Sequence, residues 1–244
     1  MAKVTVTTKP SAWDKIKKRP DPLTSIALTI PVFLIYHLGI LVVKSRSGVD
    51  LVSNAVFGLL NASTPLYVIG TLTMALVLAV VVWIEERRGV ASGVRLTRVL
   101  MEGAAFALVV LAGLGWATSR VLRTTDPAGI EELGVLDKIV LACGAGFHEE
   151  FVFRALLVTG FAALLTKVFR MSKNAGLGVA VLVSSVAFSL IHNYGPFGEP
   201  FVFDIALYRV LLGSLFAGLY LMRGFGVAVY GHVFYELLVY FLYA

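Results

Sequence analysis

Charge is scarce in this chain. Asp, Glu, Lys and Arg make up 15% of its 244 residues while 58% are hydrophobic, and soluble domains run nearer to a quarter charged. A soluble enzyme or binding module is thereby excluded, which leaves a polytopic membrane protein. Cysteine is almost absent. Cys143 alone cannot form an internal disulfide, and its place in an apolar run marks it as a small packing residue. No cleavable signal peptide is expected, because no small-residue cleavage site closes the first apolar run. Acidic residues are the minority, giving a net charge of +6. The basic ones sit at the ends of apolar runs, where they report topology and lipid-headgroup contact rather than nucleic acid.

What the chain has in abundance is apolar length. Runs able to span a bilayer occur at about 25–43, 67–84, 99–119, 136–165, 177–193, 204–222 and 226–243. These predict an all-α, polytopic transmembrane bundle of seven to eight spanning helices around a polar cavity. The eighth would come from residues 51–62, which are too short to span unaided and otherwise read as an interfacial or re-entrant segment. Residues 1–24, with Lys3, Lys9, Lys15, Lys17, Lys18 and Arg19, form a basic cytoplasmic or interfacial segment. Residues 25–244 form one transmembrane domain. The basic clusters Arg87/Arg88/Arg95/Arg98 and Lys167/Arg170/Lys173 favour a cytoplasmic N-terminus and the cell membrane.

Ionisable groups inside apolar runs are costly, and so are functional candidates by default. Glu149 and Glu150 are consecutive, and Arg154 follows on the same run. At helical spacing Glu150 and Arg154 share a face, whereas Glu149 points about 100° away. That divides a compensated pair from a working carboxylate, although both glutamates serving as bundle glue fits the same spacing. His192 closes the fifth run, four residues after Phe188, where a lone histidine is more often an interfacial or capping residue than a ligand. His232 lies four residues before Glu236 in the last run; an internally satisfied hydrogen bond between helices is the plain alternative.

Familiar intramembrane protease signatures are missing. An H-E-x-x-H zinc site would need histidine where Val152 stands. Neither the Gly-x-Ser-Gly of rhomboids nor the Gly-x-Gly-Asp of presenilin-type enzymes occurs. Present instead are Glu-Glu-x3-Arg at 149–154, Phe-x3-His at 188–192 and His-x3-Glu at 232–236, in that order on separate runs. Over about residues 136–244 this triplet resembles the CAAX-protease and bacteriocin-processing family of intramembrane endopeptidases, which includes the type II CAAX prenyl endopeptidases. Ser184-Ser185, Gly213 and the Leu221–Gly226 turn fit the same pattern.

The resemblance implies peptide-bond hydrolysis by a glutamate-activated water, with a peptide or protein substrate that CAAX processing would make prenylated. It assigns Glu149, His192, His232 and Glu236 to catalysis and Glu150, Arg154 and Phe188 to support. Glu149 would be the base, His192 and His232 would orient the water or stabilise the oxyanion, and Glu236 would orient His232. A divalent metal, zinc, on His192, His232 and Glu149 is compatible with that set. Glu236 departs from the asparagine or aspartate usual in the third motif. Two rivals stand beside this reading. One is a proton-coupled transporter gated by Arg209 and Asp204, which the lack of repeats and the expected lack of mid-helix prolines disfavour. The other is a non-catalytic bacteriocin-immunity or scaffold member of the same family.

Overall fold

The computed structural model describes residues 22–43, 63–87, 96–125, 133–194 and 199–242. Among the described residues there are helices and turns but no strand. That is the expected answer to lipid, since a helix satisfies every backbone polar group within its own segment. In chain order they are α1 (Pro22–Gly39), α2 (Thr64–Arg87), α3 (Leu96–Thr125), α4 (Val135–Glu149 continued by Glu150–Phe161 and Ala162–Lys167), α5 (Lys173–Ile191), α6 (Phe203–Arg223) and α7 (Phe225–Leu242). All seven apolar runs are therefore helical.

Six of these helices are long and apolar enough to cross a membrane, fewer than the expected seven to eight. α4 is not among them: it changes its winding at Glu150 and carries the ionisable cluster there. The proposed segment 51–62 and the basic stretch 1–21 lie outside the described residues. A second correction concerns proline: Pro31 lies inside α1. The absence of mid-helix prolines therefore cannot be used against a transporter.

The bundle is organised around α7, which packs against α1, α3, α4 and α6. It is also the most enclosed of the six spans, whereas α2 is the most exposed. Glycines let α7 and α4 approach closely. A Cβ added to Gly146 would stand 2.5 Å from Val233 Cγ2 and 3.0 Å from the Val229 carbonyl. Only hydrogen fits between the two backbones one turn before the paired glutamates. The turn from α6 to α7 is a single residue, Gly224, at φ 93°; a side chain there would be strained. Ser172 caps α5 by accepting from the Ala175 amide at 3.3 Å.

Within α4 the stretch Glu150–Phe161 is wound with i→i+5 (π-type) hydrogen bonding. Thr159 follows the same offset, its hydroxyl donating to the Arg154 carbonyl five residues back at 3.4 Å. From the neighbouring helix, Ser184 Oγ donates to the Phe153 carbonyl at 2.5 Å. A wider winding leaves backbone acceptors turned outward, and the serine supplies one of the partners they need.

Candidate active site

Glu149 and Glu150 straddle the join between the two windings of α4, and His232 faces them from α7. Burial is nearly complete, with 5% exposure for Glu149, 0% for Glu150 and 1% for His232 and Arg154. Groups this buried must satisfy one another. Glu150 Oε1 accepts from His232 Nδ1 at 2.8 Å and lies 3.3 Å from Arg154 Nη1. The expected Glu150–Arg154 pair is thus present, and the carboxylate has a second duty that spacing did not reveal. With Nδ1 committed to Glu150, His232 turns Nε2 toward Glu149 Oε2 at 3.7 Å and Glu236 Oε1 at 3.6 Å. Glu236 lies beside His232 Nε2, as the four-residue spacing implies, while the short hydrogen bond at Nδ1 goes to Glu150. The physical reason is the glycine contact at Gly146, which brings α4 near enough for Glu150 to reach across.

Aromatic rings fix the charged groups from the sides. Phe216 stacks on His232 with centroids 4.4 Å apart and planes 19° from parallel. The Arg154 guanidinium lies 4.7 Å from the centre of Phe188 and 5.5 Å from that of Phe216. Arg154 also donates from Nη2 to the Gly213 carbonyl at 3.3 Å. Gly213 is small for cause, since a Cβ would meet Phe188 Cδ1 at 3.2 Å and Ser185 Cα at 3.3 Å. Ser185 and Ser214 join the same two helices by their hydroxyls at 3.1 Å.

His192 is tied to this cluster through Phe188. Its Nδ1 donates to the Phe188 carbonyl at 2.7 Å, which fixes the tautomer and leaves Nε2 as the outward nitrogen. Phe188 packs its ring 5.2 Å from His192 and 6.3 Å from His232, centroid to centroid. His192 is also within electrostatic reach of Glu236, His232 and Arg209. Glu149, Glu150 and His232 are therefore in direct contact, while His192 meets them through a shared ring.

Among the described residues, no three His, Cys, Asp or Glu side chains form a group that could hold a metal ion. The zinc set drawn from His192, His232 and Glu149 does not fit as these side chains are arranged, and no step below is routed through a metal. The remaining histidines, His37 and His148, serve packing. They meet at 5.2 Å between centroids, His37 bonds Tyr67 at 2.5 Å, and His148 donates to the Gly144 carbonyl at 3.0 Å. The imagined Arg209–Asp204 gate is absent: Asp204 pairs with Arg120 at 3.0 Å, and Arg209 with Glu199 at 2.6 Å.

Phe216 and Glu150's bond to His232 were not anticipated, whereas Gly213 already stood in the motif pattern. A phenylalanine in an apolar run carries no signal of its own, and cross-helix partners depend on packing. Compared with known families, residues 131–238 match the Type II CAAX prenyl endopeptidase Rce1-like family. That segment contains all three motifs and every site residue named above. No characterised protein and no solved structure gives a match. The resemblance carried by the motifs thus holds over residues 131–238, in which they fall. Those residues are similar to a family of proteases, and the six apolar helices make the protein an integral membrane protein.

Proposed function

We infer that the protein is an intramembrane endopeptidase that cleaves a CAAX-type substrate near its C-terminus, using a water activated by Glu149. The supporting observation is the triangle of Glu149 Oε2, His232 Nε2 and Glu236 Oε1, whose sides from Nε2 are 3.7 and 3.6 Å. A water at the ordinary hydrogen-bond distance of about 2.8 Å from Nε2 and from either carboxylate fits over such a gap. Glu149 takes a proton from that water as it attacks the peptide carbonyl carbon. The oxyanion that forms needs a donor, and His232 in its imidazolium form has one at Nε2 because Glu150 already occupies Nδ1. Collapse of the tetrahedral intermediate breaks the C–N bond, and Glu149 returns its proton to the departing amine. His192, held at Nδ1 by the Phe188 carbonyl, has Nε2 left to orient the water or the oxyanion. Glu150, Arg154 and the rings of Phe188 and Phe216 keep this geometry rigid.

The basic turn Lys167–Lys173 and the basic N-terminal residues favour the cell membrane with a cytoplasmic N-terminus. The test of the reading uses purified protein in detergent with two peptides ending in Cys-aliphatic-aliphatic-X, one farnesylated and one not. Mass spectrometry of the products should show release of the C-terminal fragment, and Glu149→Gln should abolish it while leaving peptide binding intact. A scaffold or immunity member would bind without cleavage, and a transporter would do neither.

A further inference from the structure

Beyond His192 the chain folds back on itself. The Glu199 amide donates to the His192 carbonyl at 2.9 Å. Asn193 Nδ2 donates to the carbonyls of Glu199 at 3.0 Å and of Pro200 at 3.3 Å. This tether presents the Glu199 carboxylate to Arg209 on α6, with Nη2 to Oε2 at 2.6 Å. The Arg209 side chain is 9% exposed and that of Glu199 18%. Arg209 takes no part in the water-activating triangle, yet it stands within electrostatic reach of His192. Among the described residues its one hydrogen bond uses Nη2, which leaves further N–H donors of the guanidinium fork for a carboxylate.

We propose that Arg209 is the specificity residue that reads the substrate's C-terminal carboxylate, accepting it in place of the Glu199 carboxylate. The inference rests on the proteolytic reading and deepens it. A nearly buried guanidinium needs an anion at all times, since an unpaired buried charge is costly. Exchanging one carboxylate for another keeps the charge balanced throughout, and Glu199, the more exposed partner, is the one free to leave. In a peptide cut near its end, the terminal carboxylate lies within a few extended residues of the scissile bond, and three residues span at most about 10 Å. Arg209 and His192 flank the same end of the bundle, where α5 ends and α6 begins.

The test compares two peptides identical except for a free acid or a carboxamide at the C-terminus. Wild-type enzyme should favour the acid by about 10–100-fold in kcat/KM, chiefly through KM, as expected for a charge-assisted contact. Arg209→Gln should bring the acid-to-amide ratio near one, and Glu199→Gln should lower KM for the acid peptide by removing its competitor. A loop-tethering role alone would leave the ratio unchanged, so a ratio preserved in Arg209→Gln overturns the proposal. Equal cleavage of both peptides by wild type does the same. If Arg209→Gln does not fold, Glu199→Gln decides alone, and an unchanged KM for the acid refutes the exchange. Absence of any cleavage would instead defeat the protease reading. Binding of the two peptides to the Glu149→Gln protein, followed by fluorescence anisotropy, then still decides whether Arg209 prefers the acid.

Discussion

Removing the Arg154 guanidinium is the most demanding test of how the site is held. Arg154 is 1% exposed, and its partner Glu150 is fully enclosed. Arg154→Met leaves Glu150 with the hydrogen bond from His232 at 2.8 Å and without the cation at 3.3 Å. Breaking a buried pair from one side costs about 3–5 kcal/mol. Loss of the ring contacts at 4.7 and 5.5 Å adds at most about 1–2 kcal/mol, part of which the methionine side chain regains. For a chain of this size 1 kcal/mol moves Tm by about 2–4 °C, so thermal unfolding in detergent should fall by about 6–20 °C. The double variant Glu150→Gln/Arg154→Met removes both charges and should recover most of that loss. If the single variant unfolds within about 2 °C of wild type, or the double variant is no better than the single, then Glu150 and Arg154 do not form a compensating pair and the division of labour argued above is wrong.

Other outcomes follow from the same geometry. Glu149→Gln should unfold within about 2 °C of wild type yet lose turnover by about 100-fold or more, in peptide-cleavage and thermal-melt assays run side by side. Glu236→Gln should retain partial activity and Glu236→Ala lose about 10–100-fold, because one keeps a polar group beside His232 Nε2 and the other does not. Equal losses in the two would make the charge of Glu236 essential. Gly146→Ala should cost about 1–3 kcal/mol and depress cleavage as well, since its Cβ would push Val233, and with it α7, away from the paired glutamates; an active, unshifted variant would contradict the close approach. Treatment with a chelator should leave the cleavage rate unchanged, and loss of activity restored by zinc would overturn water activation by Glu149 alone.

The helices were legible because lipid leaves so few alternatives. Each apolar run long enough to span became a helix, and the ends moved by only a few residues, as at Pro22 and Leu96. That Glu149, His192 and His232 would seek one another was legible for a related reason, since ionisable groups in apolar runs have nowhere else to go; Glu149 and His232 do face each other, while His192 meets them through the Phe188 ring. The partner of His232 Nδ1 was not legible. Spacing on α7 pointed to Glu236 four residues on, but the choice of Glu150 depends on how far α4 can approach, which Gly146 and Val233 decide. Arg209 and Glu199 were hidden because their pairing crosses a turn, where no periodicity operates. Pro31 stands in plain view in the first apolar run, and a helix in lipid accommodates it.

The π-type stretch in α4 sets the rotational register between the two ends of that helix. Glu150, Phe153 and Arg154 lie on it, whereas Glu149 ends the regular α-helix before it. Deleting one residue from the apolar positions 155–158 would let the backbone relax to ordinary α-helical winding. The carboxylates would then swing about 100° relative to Ala162–Lys167, away from His232 or away from their anchors on α5. A chain with tighter backbone bonding and fewer residues would be easier to fold and would have lost its reason for folding. On this view the irregular winding is a cost in stability that selection tolerates for the sake of turnover. Random deletion libraries screened separately for expression and for cleavage should accordingly diverge most sharply within these twelve residues.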